Sequence, residues 1–403
     1  MLPRRPVTRQ PFPPGSQLRH ALTTLLYRTL GVVLAPRFRR TVRLDDLAAA
    51  RILILKPCCL GDIIFATPLL RELRRSLPDA YLAVAVGAHA RPGLAGHPAV
   101  DELIDTGPIG SGRLRPRAFL ALARYLRARQ FDACFVLERS ALLIMLPWLA
   151  GIPIRVGIDS GGRGFSLTVA VSARPARPES ELYLDLLRVL GGRPQSGTLE
   201  YHPSPAANQQ IERLVNEQIG SRPFVILHCA GGVNPGMALV RKRWPAENFA
   251  RLASRVLAAG AAIVLVGARE DRPTAERVRA DLAALGNGTT ADGVIDLVGA
   301  LNLDELAALA RRAVVYVGND SGPSHLVEAA GARVVMLFGP SDPIVYGPRG
   351  RNAIAITAGL WCSPCFVDGR VAPCANVLCM PAITVERVWQ EIAPLLRAAG
   401  VPT

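Results

Sequence analysis

The stretch Gly318–Pro343, GNDSGPSHLVEAAGARVVMLFGPSDP, decides the fold. It follows a β-branched run, Ala313–Val317, that reads as a buried strand. A helix is expected over Ser321–Ala330, with Asp320 as N-cap and Gly331 as terminator. A second apolar strand, Val334–Phe338, follows at once. Strand, polar turn, helix, strand sets a helix N-terminus at the carboxyl edge of a parallel sheet. Free N–H groups and the helix dipole favour an anion there. Asp320, Ser321 and His325 add side chains at the same edge, so the pattern points to a phosphate-bearing ligand.

The alternation extends outward in both directions. In the C-terminal half, strands are expected at Phe224–Leu227, Ala262–Val266 and Val294–Leu297, with helices near Pro245–Ala259, Arg272–Leu285 and Leu303–Arg312. The N-terminal half reads as strands Ile52–Leu55, Ala80–Val86, Glu102–Asp105, Asp132–Leu137 and Ile154–Gly157. Its first turn, Lys56 to Asp62, leads into a helix from about Ile63 to Ser76. Such alternation forces parallel sheets with helices on both faces, and ligands bind outside the carboxyl ends of the strands. A Pro/Ser/Gly-rich stretch from Arg193 to Ala207 reads as a linker. The expected organisation is a basic, partly amphipathic arm over 1–48, a Rossmann-like domain over 49–200, a second over 208–385, and a terminal helix within 386–403. This is an α/β chain of two doubly wound domains, expected to face each other across a cleft.

Half of the 403 residues are hydrophobic, which is ample for two cores, and the net charge is +15. Aromatic residues make up only 5% of the chain, and no recognition motif is present, so nucleic acid is not an expected partner. Nearly all cations are arginine. The only lysines, Lys56 and Lys242, stand in two glycine- or proline-flanked loops, which singles them out. Up to Arg43 there are nine arginines and no acid. No apolar run there approaches the roughly 18–20 residues that span a bilayer, and no small-residue cleavage site marks a secretory signal. A basic arm of this kind suits peripheral contact with an anionic membrane; a disordered tail is the alternative. Arg113, Arg115, Arg117, Arg124, Arg127 and Arg129 form a second cluster on a helix and its lead-in, either a solvated face or a hold on a phosphorylated acceptor. Ala141–Ile154 is apolar but short and interrupted by Pro147, and is expected in the core.

Cys58, Cys59, Cys134 and Cys229 lie on or beside strands and read as small buried hydrophobes. Cys362, Cys365, Cys374 and Cys379 follow a C-x2-C-x8-C-x4-C spacing. That suits a structural zinc or iron; free thiols in a tight loop are the alternative.

Two motifs in this order, Lys56-Pro-Cys-Cys-Leu-Gly-Asp-Ile-Ile-Phe-Ala-Thr-Pro-Leu-Leu and Gly318-Asn-Asp-Ser-Gly-Pro-Ser-His-Leu, resemble glycosyltransferase family 9, the ADP-heptose:lipopolysaccharide heptosyltransferases. The resemblance covers roughly residues 51–390. It takes in Arg155-Val-Gly-Ile, Lys242-Arg-Trp-Pro-Ala-Glu-Asn-Phe, Phe338-Gly-Pro-Ser-Asp-Pro and the Cys-rich loop 361–380 that ends at Cys379-Met380. It implies a GT-B fold, an inverting mechanism, no cofactor for catalysis, an ADP-sugar donor, and a lipopolysaccharide-type acceptor at the cytoplasmic face of the inner membrane.

Inverting transfer needs a base for the acceptor hydroxyl and neutralisation of the departing diphosphate. Asp62, matching the family's Gly-Asp, is the base candidate, with simple helix capping as the alternative. Lys242 matches the Lys-x-Trp-Pro cation on the donor diphosphate. In Leu227-His-Cys-Ala-Gly-Gly-Val, Gly231 and Gly232 let backbone N–H groups approach phosphate. Ser321 and Gly322 offer backbone bonds to phosphate, while Asp320 and His325 hold sugar or phosphate; a structural core histidine is the alternative for His325. Glu270 is placed to accept ribose hydroxyls, with Asp271 as its rival. His89 and His97 are expected in structural or solvated roles. Use of another nucleotide sugar or of a protein acceptor stays open, as does a non-catalytic sugar-nucleotide-binding role.

Overall fold

Each half of the chain folds around its own six-stranded, wholly parallel sheet. The computed structural model describes residues 14–110, 115–234, 237–286, 293–367, 370–371, 374 and 376–403. Arg4, Arg5, Arg9 and Arg113 lie outside them.

In the first unit the strands are β1 (Arg51–Leu55), β2 (Tyr81–Val86), β3 (Glu102–Asp105), β4 (Ala133–Val136), β5 (Ile154–Asp159) and β6 (Val169–Ser172), in the order β3-β2-β1-β4-β5-β6. In the second they are β7 (Phe224–His228), β8 (Ala262–Val266), β9 (Val294–Asp296), β10 (Val315–Asn319), β11 (Val334–Phe338) and β12 (Ala353–Thr357), in the order β9-β8-β7-β10-β11-β12. The two topologies are the same. Each sheet starts at its centre, runs to one edge, then reverses, so the switch points lie between β1 and β4 and between β7 and β10. The central strands are near-continuous apolar runs because helices cover both faces. Leu53, Leu55, Cys134 and Val136 sit in the first core; Val225, Leu227, Val315 and Val317 sit in the second.

The sixth strand of each sheet was not expected. Val169-Ala-Val-Ser and Ala353-Ile-Ala-Ile-Thr are edge strands, half-exposed and lacking a long apolar run, so backbone pairing to β5 and β11 defines them. The expected helix after β1 is two, Leu60–Phe65 and Thr67–Ser76, because Pro68 cannot donate a helix hydrogen bond. The first unit ends at Leu199 and the second begins at Glu200. Helix Pro205–Gln218 starts inside the expected linker, where Ser204 caps it by accepting the Ala207 N–H at 3.1 Å. The terminal helix, Val385–Ala398, puts Val388, Ile392 and Leu396 into the second core.

Two further readings are corrected, and the form of the basic arm is added. Cys58 and Cys59 are half-buried and joined to each other by a disulfide, while Cys134 and Cys229 are buried thiols as expected. The apolar stretch after Ala141 is not wholly in the core. It forms helix Ala141–Leu149, which buries Ile144 and Leu146 but exposes Leu142, Trp148 and Leu149. The basic arm carries a 25-residue helix, Pro14–Phe38, seated on the first unit. Gly162, at φ +86°, leaves room for the Tyr27 carbonyl where a Cβ would collide. The Arg163 guanidinium lies 5.5 Å from the Tyr27 ring centroid, and Phe38 meets Trp148 edge-on at 5.7 Å.

Candidate active site

The first switch point delivers a buried lysine and a half-buried glutamate side by side. Lys56 follows β1 and Glu138 follows β4, the two strands between which the order reverses. Lys56 Nζ lies 3.1 Å from Asp62 Oδ2 and 3.2 Å from Glu138 Oε1. Asp62 is in the first turn of helix Leu60–Phe65, whose N-cap position belongs to Cys59 at φ +73°, so Asp62 does not cap this helix. Its side chain keeps 28% exposure while Lys56 keeps 6%. A carboxylate is thus gripped from below by an ammonium and still faces solvent. Behind it, Arg139 forks Glu179 with two bonds of 2.8 and 2.7 Å. Burial pushes the Lys56 pKa down, but Asp62 and Glu138 outweigh it and hold the amine protonated. Burial pushes the Glu138 carboxyl up despite Lys56. It pushes Glu179 the same way, yet Arg139 brings that group below the usual range. Burial keeps the Tyr183 hydroxyl protonated beside Glu179.

The second switch point is built by Asn319 and Asp320 at the end of β10 and by the loop after β7. Asn319 is fully buried. Its Oδ1 accepts the Trp244 N–H at 2.9 Å, and its Nδ2 donates to the Ala230 carbonyl at 2.9 Å. It therefore ties the glycine loop and the Lys242 segment to the sheet. Gly231 has φ +93°, and a Cβ there would stand 2.9 Å from Ser321 Cβ; Gly232 has φ +76° and faces the Leu239 carbonyl. The helix runs Gly322–Ala329 with Ser321 as N-cap. The expectation that Asp320 caps it is corrected. Lys242 Nζ donates to Asp320 Oδ2 at 2.6 Å, and His325 Nε2 lies 3.1 Å from Asp320 Oδ1. Ser321 makes no side-chain cap bond, and its hydroxyl lies 3.1 Å from Ser324 Oγ. The first-turn amides of Gly322 and Ser324 thus have no side-chain acceptor from Ser321, the situation an anion resolves.

Asp320 and His325 are 4% and 3% exposed and stand in line behind Lys242, His325 on one carboxylate oxygen of Asp320 and Lys242 on the other. Burial pushes the Asp320 carboxyl up, but Lys242 and His325 outweigh it and hold the group well below the usual carboxylate range. Burial pushes His325 down, but Asp320 and Glu328 raise it to about 9, so it is an imidazolium at neutral pH. Lys242 has three N–H donors. One goes to Asp320, the Phe366 ring centroid lies 5.7 Å from the ammonium, and no further hydrogen bond of it is seen among the described residues.

Glu270 is exposed on a one-turn 3-10 helix, Arg269–Asp271. Its neighbour Asp271 is the engaged acid: its Oδ2 accepts the Ala268 N–H at 2.9 Å and lies 3.7 Å from His228 Nε2. His89 Nε2 accepts the Cys59 N–H, and His97 Nδ1 accepts the Ala99 N–H, both structural roles. Among the described residues no group of three or more His, Cys, Asp or Glu side chains is placed to hold a metal. The thiol of Cys374 donates to the Asn376 carbonyl at 3.0 Å. Burial, then the neighbouring thiols, pushes Cys365 and Cys379 up. As placed, the four cysteines do not make a ligand set.

Residues 119–376 match the profile of glycosyltransferase family 9 (heptosyltransferase). The chain is also 30% identical over 318 residues to lipopolysaccharide heptosyltransferase 2 of Escherichia coli K12, covering 76% of this chain and 87% of the relative. The chain belongs to glycosyltransferase family 9. It aligns with the structure of Escherichia coli ADP-heptose lps heptosyltransferase II at TM-score 0.66 and 25% identity, over 87% of this chain and 100% of that one. The glycosyltransferase family 9 structure from Veillonella parvula shares the fold at TM-score 0.71 and 24% identity, over 88% and 99%. The protein is thus a family 9 glycosyltransferase with the GT-B fold. Its second switch point lies wholly inside the matched segment; Lys56 and Asp62 precede it.

The sequence reading of this family 9 enzyme missed Glu138, Arg139, Glu179, Tyr183, Asn319 and Trp244 as parts of the two sites. An acid directly after a buried strand was the available signal for Glu138. Arg139, which forks Glu179, lies 40 residues from it, and nothing local announces the pair.

Proposed function

We propose that this enzyme transfers a heptose from ADP-heptose, with inversion, onto the inner core of lipopolysaccharide or a related anionic glycolipid at the cytoplasmic face of the inner membrane. Asp62 takes the proton of the acceptor hydroxyl, and the oxygen displaces ADP from the anomeric carbon in one step. Lys56 and Glu138 position Asp62. The ammonium of Lys242 and the amides at Gly322 and Ser324 receive the charge that gathers on the departing diphosphate. Gly231 and Gly232 bring backbone close to the same phosphates, and the acid at 270 or 271 takes the ribose. His325 and Asp320 hold Lys242 in place.

The observation that carries this reading is the half-exposed Asp62 carboxylate gripped by buried Lys56 at a switch point. The pair places a partly exposed carboxylate at the carboxyl end of the sheet, where ligands of such folds bind. The two Escherichia coli relatives named above are lipopolysaccharide heptosyltransferases, which supports the sugar and the acceptor. The test is product identification. Incubation with ADP-heptose and heptose-free inner-core acceptor should release ADP and add one heptose by mass spectrometry, with the anomeric configuration inverted by NMR. Release of a different nucleotide, or retention at the anomeric centre, would overturn the reading.

A further inference from the structure

The N-terminal helix Pro14–Phe38 is apolar on two faces, and the protein covers only one. Thr24, Tyr27, Leu30, Gly31, Leu34, Ala35 and Phe38 recur at helical spacing and are half-buried against the first unit. The opposite face carries Leu22, Leu25, Leu26, Val32 and Val33 at 56–77% exposure. Helix Ala141–Leu149 extends this surface, for Trp148 packs on Phe38 while remaining 40% exposed, and Leu142 and Leu149 are exposed beside it. A helix apolar all round is normally covered on all sides. The charge that the helix itself carries has one sign. Arg28, Arg37 and Arg40 are exposed, and the chain holds no acid before Asp45.

We infer that this face lies flat in the interfacial layer of an anionic bilayer. An in-plane helix buries its apolar side among the upper acyl chains while its cations meet lipid phosphates. An exposed tryptophan at the rim suits the headgroup level. No helix among the described residues is long and apolar enough to cross a membrane, so the helix lies on the surface rather than spanning it. The two neighbouring elements make the surface broader than one helix. The same-sign charge favours lipid phosphate over a second copy of this chain, which would bring its own arginines against these. The inference deepens the proposed function, in which the acceptor is a lipid, but the surface stands on its own geometry.

The test is co-sedimentation of the purified full chain with phosphatidylcholine vesicles, with and without phosphatidylglycerol, in the absence of nucleotide and acceptor. The wild type should pellet with the anionic vesicles and stay in solution with the neutral ones. Arg28→Gln, Arg37→Gln and Arg40→Gln should each weaken binding about fivefold. The combined variant Leu22→Gln, Leu25→Gln, Val32→Gln and Val33→Gln should abolish it. These changes are on the surface, so melting temperature and turnover on a detergent-dispersed acceptor should stay at wild-type values. Absence of wild-type binding to anionic vesicles would overturn the inference. So would unchanged binding by the four-glutamine variant, or a wild-type dimer in ultracentrifugation that this variant converts to monomer without changing vesicle binding. Vesicle binding without heptosyl transfer would instead sink the proposed function and leave the surface standing.

Discussion

Lys56 is a cation that the first unit buries between two carboxylates, and removing it separates positioning from chemistry. Lys56→Met leaves Asp62 and Glu138 facing each other without their counter-ion. Breaking a buried pair of this kind costs about 3–5 kcal/mol of stability. The kinetic signature is distinct from that loss: kcat of the folded protein should fall with ADP affinity unchanged, and Lys56→Arg should restore stability more fully than kcat. A wild-type kcat in Lys56→Met would remove Lys56 from the positioning of the base. At the second switch point the linkage runs through His325. Its folded value of about 9 lies above its unfolded value of 6.5, so the stability it contributes is complete below pH 6.5 and is lost as pH rises through about 9. Thermal unfolding of the wild type should therefore weaken between pH 7 and 10, and His325→Gln should flatten that slope. An equal slope in both proteins would contradict the imidazolium assigned here. Asp320 has the opposite sign: held low when folded, it loses its contribution only in strong acid.

At the scale of elements, the strand-turn-helix units were legible because their apolar runs are fully buried and their turns carry glycine and small polar residues. The edge strands β6 and β12 were not, since half-exposed residues leave no apolar signature. Asp320 was misread as a cap for a specific reason. A local rule assigns an acid before a helix to its amides, but here two tertiary partners, Lys242 and His325, capture the carboxylate first. Asn319 was invisible as a site residue, because its partners Trp244 and Ala230 come from loops 75 and 89 residues away. Asn319→Ala should leave the Trp244 N–H and the Ala230 carbonyl unpaired in the core. It should lower stability by about 2–3 kcal/mol in denaturant titrations and weaken ADP binding, because both loops lose their anchor. A variant of wild-type stability and ADP affinity would show that the loops hold themselves. Gly231→Ala is the complementary probe. A methyl there meets Ser321, and the backbone is left-handed, so ADP binding should weaken by at least tenfold with little change in the first unit.

At the scale of the whole molecule, one topology is used twice. Each sheet reverses at its centre and places charged residues outside the strands at that point, the Lys56–Asp62 pair in the first unit and the Lys242–Asp320 pair in the second. Hydrogen exchange with saturating ADP should protect residues 229–232 and 319–325 and leave 56–62 unchanged. Protection at 56–62 by ADP alone would mean that the roles of the two sheets are reversed. The two strand-end motifs were readable from their order in the chain, whereas their buried partners were readable only from the fold.

The most direct measurement is the comparison of donor binding and turnover in Asp62→Asn. Calorimetry should give ADP-heptose affinity within about twofold of wild type, while kcat falls by about 10²–10⁴. Full turnover in this variant, or loss of donor binding in step with activity, would contradict the assignment of Asp62 as the base.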